Sequence, residues 1–198
     1  MELIIGLVIT TLVAMVMAIL INATAAGTNS NVDGRRSLVK LQSMKAKLED
    51  QFANARNILA VGANYVVFWS GDLNGAVTPA NDAVNFSELR LLEVDTSTGN
   101  LNLWSVTWPG SMSQSNIISN DTTYSTGTNW YSACQTCKTS SYFTPAVIAT
   151  NCTGLSATLD SSSYSTAKMI NLTITFNDGV MSRQAVMGVT MQHPMAPW

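Results

Sequence analysis

Charge is scarce in this 198-residue chain. Lys, Arg, Asp and Glu make up 11% of it, where an average domain carries about 25%. Ten basic residues against twelve acidic ones leave a net charge of −2. No basic field is therefore present to hold nucleic acid. Histidine occurs once, at His193, which leaves no nucleophile–His pair to read from the sequence. Phosphate-loop motifs and paired carboxylates in a recognisable frame are missing as well, so the expectation is a protein that is not an enzyme and needs no cofactor. Polarity comes instead from Ser, Thr and Asn, which suits an exposed exterior that packs against copies of itself.

Cysteine is nearly as scarce, with Cys134, Cys137 and Cys152. The Cys134-Gln-Thr-Cys137 spacing is that of a redox pair, but no thioredoxin-like βαβ pattern surrounds it. Lys138 stands where a c-type haem site needs His, and a zinc site would lack its fourth ligand. In an exported protein the expectation is one disulfide and one leftover thiol, with Cys137–Cys152 and Cys134–Cys152 both allowed.

What the chain does have in abundance is an apolar opening. From Leu3 to Ile21 run nineteen residues without a charge, interrupted only by Gly6, Thr10 and Thr11. A helix of that length rises about 28 Å, close to the roughly 30 Å of a hydrocarbon core. One carboxylate, Glu2, stands at its front edge. It either complements the positive end of its own helix or awaits a cation from another subunit. Lys and Arg cluster after this run, at Arg35, Arg36, Lys40, Lys45, Lys47 and Arg56. Taken alone, that bias places the rest of the chain in the cytoplasm.

Glu2-Leu3-Ile4-Ile5-Gly6-Leu7-Val8-Ile9 resembles the start of a type IV pilin or pseudopilin. Such chains join a Glu near the mature N-terminus to an apolar helix. The family's helix-breaking Pro has no counterpart at Ala18-Ile19-Leu20-Ile21. The resemblance implies a basic leader before the mature chain, which would reverse the topology read from the charges. It implies an α+β, pilin-like fold with a long N-terminal α-helix packed on an antiparallel β-sheet. It also implies polymerisation through Glu2, Leu3, Ile4, Leu7 and Val8, with Glu2 neutralising the N-terminal amine of a neighbouring copy. The partners would be copies of the chain itself and an inner-membrane pilus or secretion machinery. The location would be an extracellular filament, supplied from an inner-membrane pool.

The remainder reads in order. Residues 22–34 are rich in Asn, Thr and Gly, where the helix either continues or unwinds. Leu38, Leu41, Met44, Leu48, Phe52, Ala55 and Leu59 then recur at helical spacing, giving an amphipathic helix over 37–61 that stops at Gly62. Residues 1–62 thus form one expected unit and 63–198 a globular β-sheet domain. Asn64–Ser70 reads as a strand. Asp72, Asn74 and Asp82, with Asn85 and Glu88, are oxygen donors within a short span, but their spacing fits no EF-hand. They read as a solvated loop, with calcium as the alternative.

Glu88–Asp95 and Leu101–Thr107 flank Thr96-Ser-Thr-Gly-Asn100, a hairpin signal. Residues 109–154 read as a long irregular loop. Its aromatic residues, among them Tyr124, Trp130 and Tyr131, either pack it down or line a glycan site. Ile170, Leu172, Ile174 and Phe176 alternate with polar residues ahead of an Asp178-Gly179 turn, a half-buried strand in a second hairpin. Glycosylation acceptor patterns fall at Asn22, Asn85, Asn120, Asn151 and Asn171.

Overall fold

The structure, a computed structural model, describes residues 17, 39–71, 83–125, 127–177 and 182–191. The chain divides into two compact units, Met1–Ser43 and Met44–Trp198. In the first, Met17 and residues 39–43 are described, and all are helical. Among the described residues no helix is long and apolar enough to cross a membrane. The apolar run 3–21 lies outside them.

The second unit is mostly β. Eight strands are described: β1 Asn57–Gly62, β2 Tyr65–Trp69, β3 Leu89–Asp95, β4 Asn100–Val106, β5 Phe143–Ala149, β6 Cys152–Leu159, β7 Met169–Asn177 and β8 Ser182–Thr190. They form a five-stranded sheet in the order β1-β2-β3-β4-β5 and a three-stranded sheet in the order β6-β7-β8. Every pairing is antiparallel. No long N-terminal helix packed on a sheet is found among the described residues. This overturns the α+β, pilin-like fold that the resemblance implied.

The correction has a local cause. Helical conformation ends at residue 53, well short of 61. The Asn54 amide turns back to donate to the Asp50 carbonyl (2.9 Å), and the Arg56 N–H already bonds to Trp69 O of β2 (2.8 Å). Ala55 and Leu59 fit a helical stripe, but Ile58, Leu59 and Val61 fit a strand at least as well, and pairing with β2 decides the outcome. Gly62 therefore ends a strand and not a helix. A Cβ placed there would collide with the Tyr65 ring opposite. The helical residues 44–53 bury Met44, Leu48 and Phe52, and the Phe52 ring lies 4.5 Å from that of Phe68.

Strands β2 and β3 are buried on both faces. Val67 faces Leu91 and Trp69 faces Leu89 on one side, while Val66 faces Leu92 on the other, and all six are buried. Near-continuous apolar runs are what such doubly covered strands require. The first side packs beneath the segment between β4 and β5, which contributes Cys134 and Cys137 to the same cluster. That segment is not irregular throughout. It holds two short helices, Gln114–Asn120 and Trp130–Cys137, each begun by a side-chain cap: Ser113 accepts from Asn116 N, and Asn129 from Ser132 N.

The β3–β4 hairpin closes as its turn residues dictate. Asp95 accepts from Ser97 N, Ser97 Oγ and Thr98 Oγ1, and Gly99 takes φ +69°. Hydrogen bonds from Ser97 and Thr98 hold the Asp95 carboxyl down at about 2. In the second sheet, cross-strand partners put Leu155, Ile170, Leu172, Ile174, Met187 and Val189 on one face, and all are buried. The opposite face leaves Val186 71% exposed.

Asn64 joins these parts. It sits in the turn between β1 and β2 with φ +67°, a left-handed conformation that Asn tolerates better than other side-chain-bearing residues. Its N–H donates to Leu155 O (2.9 Å) and its carbonyl accepts from Val94 N (2.9 Å). Its side-chain Oδ1 accepts from Leu155 N (3.1 Å). One residue thus bonds β3 of the first sheet and β6 of the second. Asn64→Ala loses the side-chain acceptor and carries the left-handed penalty, so it should destabilise by about 2–3 kcal/mol in urea unfolding. Asn64→Gly keeps the conformation and should lose about 1 kcal/mol less. Equal losses would show that the backbone conformation is not what Asn64 supplies.

Candidate functional site

The residues singled out for filament assembly, Glu2, Leu3, Ile4, Leu7 and Val8, lie outside the described residues, as do Asp72, Asn74 and Asp82. The other two oxygen donors of that span are described, and both are used structurally. Asn85 is 2% exposed, and its Oδ1 accepts from Thr123 Oγ1 (2.7 Å). Glu88 is 3% exposed and accepts from Trp69 Nε1 (2.9 Å) and Asn85 N (3.0 Å). A nearby carboxylate, Asp121, accepts from the N–H and hydroxyl of Ser87 (2.7 and 2.8 Å).

Together these contacts fasten the segment after β4 to the short 3-10 helix that precedes β3. Arg90 donates to Ser87 O and Leu89 O beside them. Burial lowers its pKa, and the neighbouring Glu88 works in the opposite direction. Among the described residues no group of three or more His, Cys, Asp or Glu is placed to hold a metal ion.

Of the glycosylation acceptors, the structure exposes Asn120 and Asn151. Asn171 is half-buried on β7, and Asn85 is inside. The three cysteines are free thiols and all buried. Cys134 and Cys137 lie in the final turn of one helix and in one apolar cluster. Cys152 opens β6 elsewhere, with its N–H bonded to Gly99 O. Desolvation raises all three pKa values, that of Cys152 to about 11.

The strongest convergence of polar side chains is one that the sequence did not disclose. Tyr65, Glu93 and Asn102 stand directly opposite one another on β2, β3 and β4, so they share a face of the sheet. The helix Trp130–Cys137 and the residue after it bring three donors to Glu93. Tyr131 Oη (3.0 Å) and Gln135 Nε2 (3.1 Å) bond one carboxylate oxygen, and Lys138 Nζ is ion-paired with the other. Burial first, and then the bond to Glu93, raise the Tyr131 pKa. The Lys138 ammonium also stands 4.9 Å from the centre of the Trp104 ring, a cation–π arrangement.

An open cleft of ≈ 350 Å³ lies here, lined by Asn64, Glu93, Asp95, Asn102, Trp104 and Lys138 among others. Its aromatic rings each pack against another ring. Tyr131 stacks on Tyr65 at 3.8 Å, and Trp104 stacks on Phe143 at 5.9 Å. The Trp104 Nε1 donor is buried and has no partner.

Comparison with known proteins gives no match: no family profile, no curated protein and no solved structure aligns with this chain.

The Glu93 cluster fixes the Trp130–Cys137 helix to the sheet, and its worth can be measured. Glu93 and Lys138 side chains are 15% and 20% exposed, against 46% and 56% for Glu49 and Lys45 in the surface pair. A double-mutant cycle with Glu93→Gln and Lys138→Met should give a coupling of about 1–2 kcal/mol. The Lys45–Glu49 cycle should give about 0.3–0.5 kcal/mol. Similar values for the two would mean that the inner pair is as well solvated as the outer one.

Proposed function

We propose that this chain is the structural subunit of a type IV pilus-like extracellular filament, assembled through its apolar N-terminal segment. The observation that carries the reading is the uncharged run Leu3–Ile21 headed by the single carboxylate Glu2. Such a run is stable in a bilayer, and it is equally stable when copies of it bury one another away from water. An ionised Glu at that position is costly unless it meets a cation. The N-terminal amine of a neighbouring copy supplies one and sets the register between subunits. Leu3, Ile4, Leu7 and Val8 make the apolar contact around that pair.

The remainder of the chain forms the outer surface, poor in charge and rich in hydroxyl and amide groups. Copies of the chain and an inner-membrane assembly machinery are its partners. Before assembly it resides in the inner membrane, and afterwards on the cell surface. A minor subunit, or a pseudopilin of a secretion system, would use the same segment in a shorter fibre. A membrane-anchored adhesive domain that never polymerises is the alternative from another class.

Glu2→Ala separates polymer from anchor. The polymer reading predicts that filament yield falls on the order of tenfold or more, while the membrane pool stays folded by circular dichroism. Unchanged filament yield would remove Glu2 from the assembly. A wild-type chain that stays wholly in the membrane fraction would favour the anchored domain.

A further inference from the structure

We propose that Cys134 and Cys137 close a disulfide with each other, and that Cys152 remains a thiol. Two positions three residues apart on a helix have Cα atoms about 5 Å apart, inside the span that a disulfide bridges. Both sulfurs sit in one apolar cluster, where the two residues are 0% and 6% exposed. Cys137 is the last residue of its helix, and just beyond it the bonding changes from i→i−4 to i→i−3. The Lys138 N–H bonds back to both Cys134 O and Thr136 O, and Thr139 N donates to Thr136 O (3.0 Å). Closing the bond asks the Cys134–Cys137 turn to tighten from α toward 3-10, which brings side chains at i and i+3 into line. The chain already takes i→i−3 bonds directly after it, from Thr139 N to Thr136 O and from Ser140 N to Cys137 O. Tyr124 Oη lies 3.1 Å from Cys137 Sγ and donates to that sulfur once its proton is gone.

The third cysteine is held apart. Cys152 is buried outside that cluster. It pairs with Phe176 on β7, and its Sγ faces Thr150 O at 3.9 Å. In the proposed step each of the two thiols loses a proton and one electron, and one S–S bond forms. The electron pair reduces the disulfide of a thiol oxidase, or of oxidised glutathione, to two thiols. The oxidation in the cell rests on the extracellular placement proposed above. The pairing itself does not.

The test is therefore made in solution. The full chain, reduced and unfolded, is refolded in detergent with a glutathione redox buffer, quenched with acid, alkylated and digested with trypsin. Cleavage after Lys138 separates Cys134 and Cys137 from Cys152. The peptide ending at Lys138 should be lighter by two hydrogens and carry no alkyl group, and the Cys152 peptide should carry one. A cross-link between those two peptides, or alkylation at all three cysteines, overturns the pairing. The same digestion of chain sheared from cells tests the compartment separately. Three labelled thiols there, beside a closed pair in the refolded chain, would count against the extracellular placement and leave the pairing intact.

Discussion

The second unit depends on Asn64. Its backbone reaches both β3 and β6, and its side chain bonds β6 again. The β1–β2 turn is thereby made the junction of two sheets that share no strand. Both sheets are meanders of sequential antiparallel strands. The three-stranded meander presents one apolar face, and covering that face removes it from water. The bonds through Asn64, together with Cys152 N to Gly99 O, bring β6 to the first sheet and fix where the short sheet begins.

From that junction the first sheet carries the load of burial. With β2 and β3 covered on both faces, each side needs its own partner. Phe52 meets Phe68 on one side. On the other, the segment after β4 returns to supply Cys134, Cys137 and Phe143. On that second side three donors from residues 131–138 neutralise or bond Glu93. At the other end of the segment Asp121 accepts from Ser87, while Glu88 accepts from Trp69 and Asn85. In a chain with so few charges, several of them serve as internal fasteners.

Parts of this were legible in the sequence, for identifiable reasons. The Asp95 to Asn100 turn carries its own chemistry, so the β3–β4 hairpin could be placed to within a residue. The alternation of Ile170, Leu172 and Ile174 disclosed the half-buried β7. The boundary near residue 55 was not legible, because Ala55 and Leu59 fit both periods and only pairing with β2 decides between them. The helices Gln114–Asn120 and Trp130–Cys137 are too short to show a stripe, and their signal was confined to the caps Ser113 and Asn129. The Glu93 cluster joins residues 38 to 45 positions apart, a proximity that no local pattern encodes. The buried state of Asn85 arises from its bridge to Thr123, which the acceptor pattern Asn85-Phe86-Ser87 does not reveal.

The central functional claim concerns the opening segment and what surrounds it outside the membrane. Material sheared from cells that express the native chain can be imaged by electron microscopy and identified by mass spectrometry. The account predicts long filaments whose principal component is this chain, with Leu3–Ile21 retained in it. Sheared material without filaments, with the chain left entirely in the membrane pellet, would contradict it.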